Sequence, residues 1–232
     1  MPLIQLNGIT KVYNQASIPV SALNGVDLRV EKLEFTAIVG PSGSGKTTLL
    51  NIIGGLDQPT SGTITIDGTD ISSMKESSLV DFRLHHIGFV FQAYNLIPVL
   101  TAKENVEFIM LLQNIDKTER EARSIELLEA VGLKDRLDSR PSELSGGQQQ
   151  RVAVARALAS HPGFVLADEP TANLDSHSAS SLLELMEDLN RKYEMTFVFA
   201  THDARVIQRA HRVVTIEDGK IKSDVMSAGS HA

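Results

Sequence analysis

Cysteine is absent from the 232-residue sequence. Its absence excludes disulfide bonds and thiolate chemistry, and it fits a reducing cytoplasm. The first residues, Met1–Lys11, lack a basic segment followed by an apolar block, and no run approaches the ~18 apolar residues that a membrane-spanning helix needs. If a membrane is involved in the function, we therefore expect another chain to cross it.

A surplus of positive charge is also absent. The formal net charge is -7 and the isoelectric point is near 5.5, so the sequence has no general basic footprint. This balance weighs against nucleic acid as the main partner without excluding a local basic patch. With 42% hydrophobic residues, the chain can bury a sizeable core, either as one domain or as one domain with a subdomain.

The most informative segment that is present follows the apolar run Phe35–Val39. It reads Gly40-Pro41-Ser42-Gly43-Ser44-Gly45-Lys46-Thr47 and fits the phosphate-binding pattern G-x-x-x-x-G-K-[ST], a P-loop. Glycines let backbone N–H groups approach a polyphosphate, Lys46 can reach its β- and γ-phosphates, and Thr47 can offer a hydroxyl to Mg²⁺. A helix is predicted from Lys46 to about Leu56. The alternative is a Gly/Ser-rich turn without a ligand, but the strand before it and the helix after it favour the phosphate site.

Two carboxylates follow the β-rich apolar run Phe164–Ala167. Acidic side chains at the end of a strand can bind Mg²⁺ and activate water. Asp168 suits a metal contact through a water molecule, and Glu169 suits the role of general base. The alternative is a solvated turn, which the P-loop in the same chain disfavours.

Two more buried strands are predicted to end on polar side chains. Ile87–Phe91 ends on Gln92, and Thr196–Ala200 is followed closely by His202. The carboxyl ends of parallel strands are where ligands bind in α/β sheets. We therefore expect these side chains to lie near the P-loop.

From Ala102 to about Ser160 the apolar residues recur at helical spacing, and no strand pattern interrupts them. This indicates a mainly helical subdomain inserted into the α/β core. Within it, Leu144-Ser145-Gly146-Gly147-Gln148 precedes a helix predicted from about Gln148 to Ser160, with Ser145 as the N-cap. The segment is either a helix start alone or a second phosphate site, since two glycines and a serine lie at a positive helix end.

Hairpins are predicted near both ends of the chain. Thr63–Ile66 enters a turn at Asp67-Gly68, and a late hairpin turns at Asp218-Gly219. The tail from Ser223 onward is polar and is expected to be loose. Tyr13, between the first predicted strands, could stack on a nucleotide base or pack in the core, and spacing alone favours the core.

In chain order, these motifs resemble those of the ATP-binding cassette (ABC) ATPases, and the resemblance covers nearly the whole chain. It implies an α/β P-loop NTPase fold with an antiparallel β-subdomain and an inserted α-helical subdomain. The implied ATP-binding core comprises residues 1–92 and 163–222. Residues 93–162 would form the helical signature subdomain and residues 223–232 a flexible tail.

The resemblance also implies how the chain binds ATP and Mg²⁺. Tyr13 would stack on adenine, which reverses the preference for the core. The metal would lie at Thr47, Gln92 and Asp168. The implied ATP contacts within one chain are Tyr13, Gly40, Ser42, Gly43, Ser44, Gly45, Lys46, Thr47 and Thr48.

The remaining family motifs concern catalysis and the dimer. The catalytic set implied by the resemblance is Glu169, Gln92 and His202, with His202 sensing the γ-phosphate. The family's signature motif, which contacts ATP bound to the other subunit of a head-to-tail dimer, corresponds to Ser145, Gly146, Gly147 and Gln148. Asn173-Leu174-Asp175 corresponds to the D-loop. One departure is Leu33, where the family usually has a glycine.

The implied function is that of the ATP-hydrolysing subunit of a membrane complex. It would work as a homodimer with separately encoded membrane subunits, on the cytoplasmic face of the inner membrane and without nucleic acid. Gly54–Asp57, Phe91–Pro98 and Ala167–Asp175 are most similar to the lipoprotein-releasing and macrolide-export branch, which is close to the cell-division ATPases. That branch implies lipoprotein release, efflux or periplasmic force transmission. The apolar run Ala93–Leu100 is predicted to contact the membrane subunit.

Two other function classes remain as alternatives. A soluble ABC ATPase of DNA repair or translation usually has a long coiled-coil insertion or two cassettes, and this chain has neither. A nucleotide-gated binding module without turnover is disfavoured by the presence of Glu169 and His202.

Overall fold

The computed structural model describes residues 1–14 and 18–227. They form an antiparallel four-stranded sheet, a mainly parallel six-stranded sheet and layers of helices, so the predicted α/β architecture is confirmed. No helix among these residues is long and apolar enough to cross a membrane.

The antiparallel sheet comes from the amino-terminal part of the chain. In its first strand along the chain, Ile4, Leu6 and Ile9 are buried, while the polar residues between them are more exposed. The predicted turn at Asp67-Gly68 joins its last two strands. In spatial order the strands are β2 (Val20–Val30), β1 (Ile4–Tyr13), β4 (Ser61–Ile66) and β5 (Thr69–Asp70).

The six-stranded sheet carries the predicted site along one edge. Five neighbouring strands are parallel, and the last one pairs antiparallel at the edge. Because parallel strands end at the same side, the polar residues that follow them are brought together. In spatial order the strands are β10 (Lys220–Met226), β9 (Arg212–Glu217), β3 (Phe35–Val39), β8 (Thr196–Thr201), β7 (Phe164–Asp168) and β6 (Ile87–Val90).

Helices cover both faces of the parallel sheet, so its strands are apolar on both sides. Phe197 and Phe199 face a core shared with the helices between residues 102 and 209, whereas Val198 and Ala200 face a second core shared with helix α1 (Lys46–Ile53) and the antiparallel sheet. The helices are α1 (Lys46–Ile53), α2 (Glu76–His86), α3 (Ala102–Leu112), α4 (Lys117–Ala130), α5 (Gly146–Ala159), α6 (Ser176–Lys192) and α7 (Ala204–Arg209).

Two helices differ from the sequence expectation. Helix α1 ends at Ile53 and not at Leu56, because Gly55 takes a left-handed φ of +63° that stops the helix. Helix α2 was not predicted. Leu79 is its one buried residue, so its sequence lacks the apolar period that reveals most helices.

The tail also differs. Strand β10 continues to Met226, so the prediction of a loose tail is wrong for residues 223–226. These residues pair with β9, and Asp224 accepts hydrogen bonds from Arg212 at 2.7 and 2.6 Å. The part of the predicted tail at 228–232 lies outside the described residues.

Leu33, which replaces the glycine usual in the family, has a left-handed φ of +70°. Its N–H donates to Thr196 Oγ1 at 2.9 Å, and its carbonyl accepts from Asn190 Nδ2 at 3.2 Å. A leucine therefore occupies a conformation that glycine adopts without a Cβ penalty.

Candidate functional site

The P-loop lies between the end of β3 and the start of α1, as predicted. A Cβ atom added to Gly40 would lie 2.0 Å from the Ile216 carbonyl oxygen, and one added to Gly45 would lie 2.6 Å from the Ala22 carbonyl oxygen. Gly45 also has a φ of +108° as the N-cap of α1. Only glycine fits these two positions, so the loop can pass close to the sheet and leave its concave side open.

Two polar groups in this loop fit a bound polyphosphate. Ser44 Oγ is buried and has no hydrogen-bond partner among the described residues. Within the described part of the chain, Lys46 Nζ donates only to the loop's own carbonyls, at 2.8 Å to Gly40 and 3.0 Å to Pro41. An unpartnered hydroxyl and a buried ammonium beside a helix N-terminus favour an anion at this place.

Thr47, in the first turn of α1, and Asp168, at the end of β7, come together. Thr47 Oγ1 lies 3.2 Å from Asp168 Oδ1. Burial raises the pKa of Asp168, and the charge of Glu169 adds to this, whereas the Thr47 hydrogen bond and Lys46 lower it. No group of three or more histidine or acidic side chains suited to a metal occurs in the described ranges.

Both carboxylate oxygens of Glu169 have partners at the end of the neighbouring strand β8, on its last residue and on the residue after it. His202 Nδ1 lies 2.6 Å from Oε1, and the Thr201 hydroxyl donates to Oε2 at 3.0 Å. The Glu169 N–H donates to the Ala200 carbonyl at 2.9 Å. Glu169 has a left-handed φ of +46°, a conformation that is strained for a residue with a Cβ. The structure thus brings together Glu169 and His202, as the sequence predicts.

Gln92 reaches the same edge, but its side chain makes no hydrogen bond to Thr47, Asp168 or Glu169 in the described part of the chain. Its backbone carbonyl accepts from Asn173 Nδ2 at 2.9 Å. The predicted contact of Gln92 with a metal stays a prediction.

Tyr94, in the run predicted to contact a membrane subunit, is half-buried. Its hydroxyl lies 2.7 Å from where a Cβ on Gly146 would be and 3.5 Å from the Asn173 carbonyl oxygen. Leu96 packs against the core. Tyr94 therefore contacts the start of α5, and docking of a membrane subunit on Ala93–Leu100 stays a prediction.

Tyr13 is 37% exposed at the end of β1, so the alternative of a core residue is wrong. Its hydroxyl donates to Asp57 Oδ2 at 2.7 Å, and Lys11 Nζ lies 4.8 Å from the ring centroid. Partial burial and then Asp57 raise the pKa of Tyr13, while a hydrogen bond with Thr48 lowers it. The ring therefore lies beside the P-loop helix, where stacking on a base stays a prediction.

Helix α5 begins at Gly146, and Ser145 is its N-cap as predicted. Ser145 Oγ accepts from the Gln148 N–H at 3.3 Å, and Gln148 Oε1 accepts from the Ser145 N–H at 2.9 Å. Gly147 packs near Ser178 of α6. Among the described residues, no hydrogen bond joins the Ser145–Gln148 segment to the P-loop of the same chain. The two predicted phosphate sites are therefore not joined directly within one chain.

Asp175 is the N-cap of α6. Its Oδ1 accepts from the backbone N–H groups of His177 and Ser178, both at 3.0 Å, and its Oδ2 accepts from Ser178 Oγ at 2.6 Å. These bonds with Ser178 lower the pKa of Asp175. The predicted D-loop thus lies next to the predicted signature segment, because Ser178 contacts both.

The family model described as ABC transporter matches residues 23–172, from β2 through the P-loop to the end of the Glu169 region. The chain belongs to the ABC transporter family. This match and the relatives below confirm the predicted class, an ATP-hydrolysing cassette with an ABC fold.

Relatives of this ABC cassette include the two protein types predicted from its motifs. The lipoprotein-releasing system ATP-binding protein LolD of Bacteroides thetaiotaomicron is 47% identical over 222 residues, which is 96% of this chain and 100% of LolD. The macrolide export ATP-binding/permease protein MacB of Brucella melitensis is 46% identical over 230 residues, 99% of this chain but 35% of MacB. Against MacB, the chain therefore matches about one third of a longer protein.

A solved structure supports the fold of the cassette. The dimeric post-hydrolysis state of the ATP-binding cassette MJ0796, bound to ADP and Pi, has a TM-score of 0.89 and 41% sequence identity. The alignment covers 97% of this chain and 99% of that chain.

Several residues at the site of this ABC cassette were missed by sequence reasoning. Gln150 Nε2 donates to the carbonyls of Phe91 (3.3 Å) and Pro170 (2.8 Å), and so joins α5 to two strand ends. Thr201 donates a hydrogen bond to Glu169, and Asp203 accepts one from Thr171. Gln150 could have been found as a polar residue on a fully buried helix face, but no sequence signal reveals which carbonyls it contacts.

An apolar groove of about 430 Å³ lies between α2 and β6 on one side and α3 and α5 on the other. Val80 and Leu112 line it and are 51% and 50% exposed. Arg156 also lines it, donates to the carbonyls of Asn95 (2.6 Å) and Tyr94 (3.0 Å), and forms no ion pair with the described residues. Burial lowers the pKa of Arg156. Arg83 also lines the groove but pairs with Glu76 at 3.3 Å, so among the described residues Arg156 is the cation of this groove that lacks a carboxylate partner.

Proposed function

We propose that this ABC cassette uses ATP hydrolysis to drive a separate membrane subunit, which it binds on the cytoplasmic face of the membrane. The relatives named for lipoprotein release and macrolide export support this role. Lipoprotein release, efflux and force transmission to the periplasm are the processes it could serve. The observation that carries the proposal is the set of strand ends, where the P-loop, Asp168, Glu169 and His202 converge.

Within one chain, the P-loop residues Gly40 to Thr48 would bind the phosphates of ATP, and Tyr13 would contact the adenine. Mg²⁺, for which Thr47 and Asp168 fit as direct or water-bridged ligands and Gln92 as a further one, would neutralise charge on the phosphates. Lys46 Nζ would then bond to phosphate oxygens in place of the Gly40 and Pro41 carbonyls, and Ser44 Oγ would gain a phosphate oxygen as its partner.

Hydrolysis would then depend on Glu169 and His202. Glu169 accepts a proton from the attacking water while the water oxygen bonds to the γ-phosphorus and the bond to ADP breaks. His202 leaves Glu169 and contacts the γ-phosphate. This frees Glu169 Oε1 for the water, because His202 is the partner of that oxygen in the structure.

The signature segment Ser145–Gln148 would bind ATP held by a second copy in a head-to-tail dimer. Its separation from the P-loop of its own chain supports this arrangement. The dimeric solved relative supports it as well. Asp175, which contacts the same Ser178 as the signature helix, would lie at this dimer interface.

Mixing two inactive variants tests the dimer. Lys46→Ala removes the cation at the phosphates, and Ser145→Arg blocks the signature segment. Each variant alone should be inactive, while the mixture should recover one working site per heterodimer. ATPase assays of the separate and mixed proteins measure this, and an inactive mixture would show that both motifs serve the same nucleotide.

We further propose that the apolar groove binds a cytoplasmic segment of the membrane subunit. The exposed apolar residues call for apolar side chains, and Arg156 calls for an acidic side chain, since a half-buried cation without a counter-ion is costly. The occupant would therefore be an amphipathic segment with an acidic residue.

Two neighbouring leucines provide a matched test of the groove. Leu112 lines it, whereas Leu111 is equally exposed at 50% but does not line it. Leu112→Asp should abolish co-purification with the membrane subunit, and Leu111→Asp should not. Both should keep the ATPase rate of the isolated chain. Equal binding by the two variants would exclude the groove as the docking site.

A further inference from the structure

We propose that Thr201 is the positioning residue of Glu169 and remains bonded to it throughout the ATPase cycle, while His202 is its exchangeable partner. This inference rests on the proposed role of Glu169 as the general base. It assigns a function to a buried threonine at the end of β8 that the sequence motifs leave unexplained.

The two partners of Glu169 differ sharply in mobility. Thr201 is 0% exposed and ends a strand paired on both sides, so its hydroxyl has a fixed place. The His202 side chain is 73% exposed and belongs to the residue after the strand. The exposed His202 ring can rotate away from Glu169 at little cost, whereas the fully buried Thr201 hydroxyl cannot leave its site.

The hydrogen-bond pattern fixes the direction of the Thr201 proton. Thr201 Oγ1 accepts from the backbone N–H of Asp203 at 3.0 Å, so its own proton is directed to Glu169 Oε2, 3.0 Å away. A hydroxyl that accepts one bond and donates another is held in one rotamer. Thr201 therefore acts as a donor to Glu169.

A second connection fixes Asp203. Its Oδ2 accepts from Thr171 Oγ1 at 2.6 Å, and Arg205 donates to both of its oxygens at 2.7–3.1 Å. Thr171 lies two residues after Glu169. Backbone and hydrogen bonds thus form a closed ring from Glu169 through Thr171, Asp203 and Thr201 back to Glu169. The ring joins the ends of β7 and β8.

This ring explains how Glu169 can keep its strained backbone. Its left-handed φ of +46° persists because Ala200, Thr201 and the ring determine its position from several sides. When His202 turns to a nucleotide, Oε1 becomes free for water while Oε2 stays bonded to Thr201. A general base with one fixed and one free oxygen is ready to accept a proton without reorganisation.

The competing interpretation is that Thr201 only stabilises the strand. Thr196, at the other end of β8, provides the matched control because it is 1% exposed and its hydroxyl also accepts from a backbone N–H, that of Leu33. Thr196→Val and Thr201→Val therefore remove one buried hydroxyl each from the same strand. Only Thr201 contacts Glu169.

The test measures kcat, KM and nucleotide affinity of the full chain with ATP and Mg²⁺. Thr201→Val should lower kcat about 10- to 100-fold, as expected for a misplaced catalytic group, while the affinity for ATP changes little. Thr201→Ser should restore the rate, and Thr196→Val should match the wild type. In a Glu169→Gln background, Thr201→Val should lower the residual rate no further, because Thr201 acts through the carboxylate.

Thermal unfolding shows whether each variant is folded. If Thr201→Val is not folded, Thr201→Ala against Thr201→Ser gives the same comparison. A kcat for the hydroxyl-free variant equal to that of Thr196→Val would overturn the proposal, as would an equal loss in the Glu169→Gln background. A Glu169→Gln variant that hydrolyses at the wild-type rate would instead overturn the role of Glu169.

Discussion

The two ends of the six-stranded sheet use the same kinds of interaction for different purposes. At the amino end, Thr196 accepts from Leu33, and at the carboxyl end Thr201 donates to Glu169. Both of these partners are non-glycine residues with a left-handed φ, +70° for Leu33 and +46° for Glu169. Each end also has an arginine bonded to carboxylates.

The ends differ in which polar groups remain free for a ligand. At the amino end, Glu34 accepts from Thr36 at 2.6 Å and from Arg212 at 3.0 and 3.1 Å, and Arg212 also binds Asp224. At the carboxyl end, Ser44 Oγ has no partner among the described residues, and Lys46 has only loop carbonyls. Backbone strain and ion pairs occur at both ends of the sheet and therefore do not identify the end that carries the active site. The polar groups without a partner do identify it.

The largest expected difference between the ends concerns their glutamates. Glu169→Gln should lower the hydrolysis rate about 10²- to 10⁴-fold, because it removes the proton acceptor, and leave stability nearly unchanged. Glu34→Gln should lower the stability and leave the hydrolysis rate nearly unchanged. ATPase assays and urea unfolding of both variants measure this, and loss of hydrolysis in Glu34→Gln at full stability would break the comparison.

Arg212→Met should give the largest loss of stability at the amino end. It leaves Glu34 and Asp224 without their cation, and the interactions of Asp224 and Glu34 raise the pKa of Arg212. A loss of roughly 2–3 kcal/mol in the free energy of unfolding is expected, less than for a fully buried pair because Asp224 is partly exposed. Urea unfolding measures it. A change below about 0.5 kcal/mol would mean that the pair is solvated.

Asp203→Asn tests the ion pair at the carboxyl end through its pH dependence. Hydrogen bonds from Arg205, followed by Thr171, lower the pKa of Asp203 from 3.8 to about 2. A lowered folded-state pKa gives stability that is complete above the unfolded value and is lost as the pH falls towards 2. Asp203→Asn should therefore cost about 1–2 kcal/mol at neutral pH.

The pH series gives this prediction its control. The difference in unfolding free energy between wild type and Asp203→Asn should shrink below pH 4, down to the lowest pH at which both remain folded. A difference that is constant over this range would mean that the charge of Asp203 contributes nothing to the free energy of unfolding.

Leu33→Gly should have the smallest effect, a gain of roughly 0.5–1 kcal/mol in stability, since glycine avoids the cost of a left-handed Cβ but loses entropy on folding. Leu33→Ala is the matched control and should not gain, because alanine keeps the Cβ. Thermal unfolding compares the three proteins. ATPase activity should be the same in all of them, as Leu33 lies at the inactive end.

Local patterns of the sequence were sufficient for most of the fold and for the centres of the site. The P-loop and the two carboxylates at the end of β7 were predicted because glycine, lysine and acid positions are set by chemistry over a few residues. Buried strands were found from continuous apolar runs. Helix α2 was not found, because a helix with one buried residue has no apolar period.

Only the tertiary structure decided which side chains meet. The ring through Thr171, Asp203 and Thr201 depends on the pairing of β7 with β8, which joins residues more than thirty positions apart. Tyr13 is 37% exposed and Tyr94 is half-buried because neighbouring elements, and not their own sequence context, determine their burial. The sequence by itself determined the chemical groups and the strand ends that carry them. Packing between distant segments determined their partners, because hydrogen bonds and burial depend on spatial neighbours that no local pattern contains.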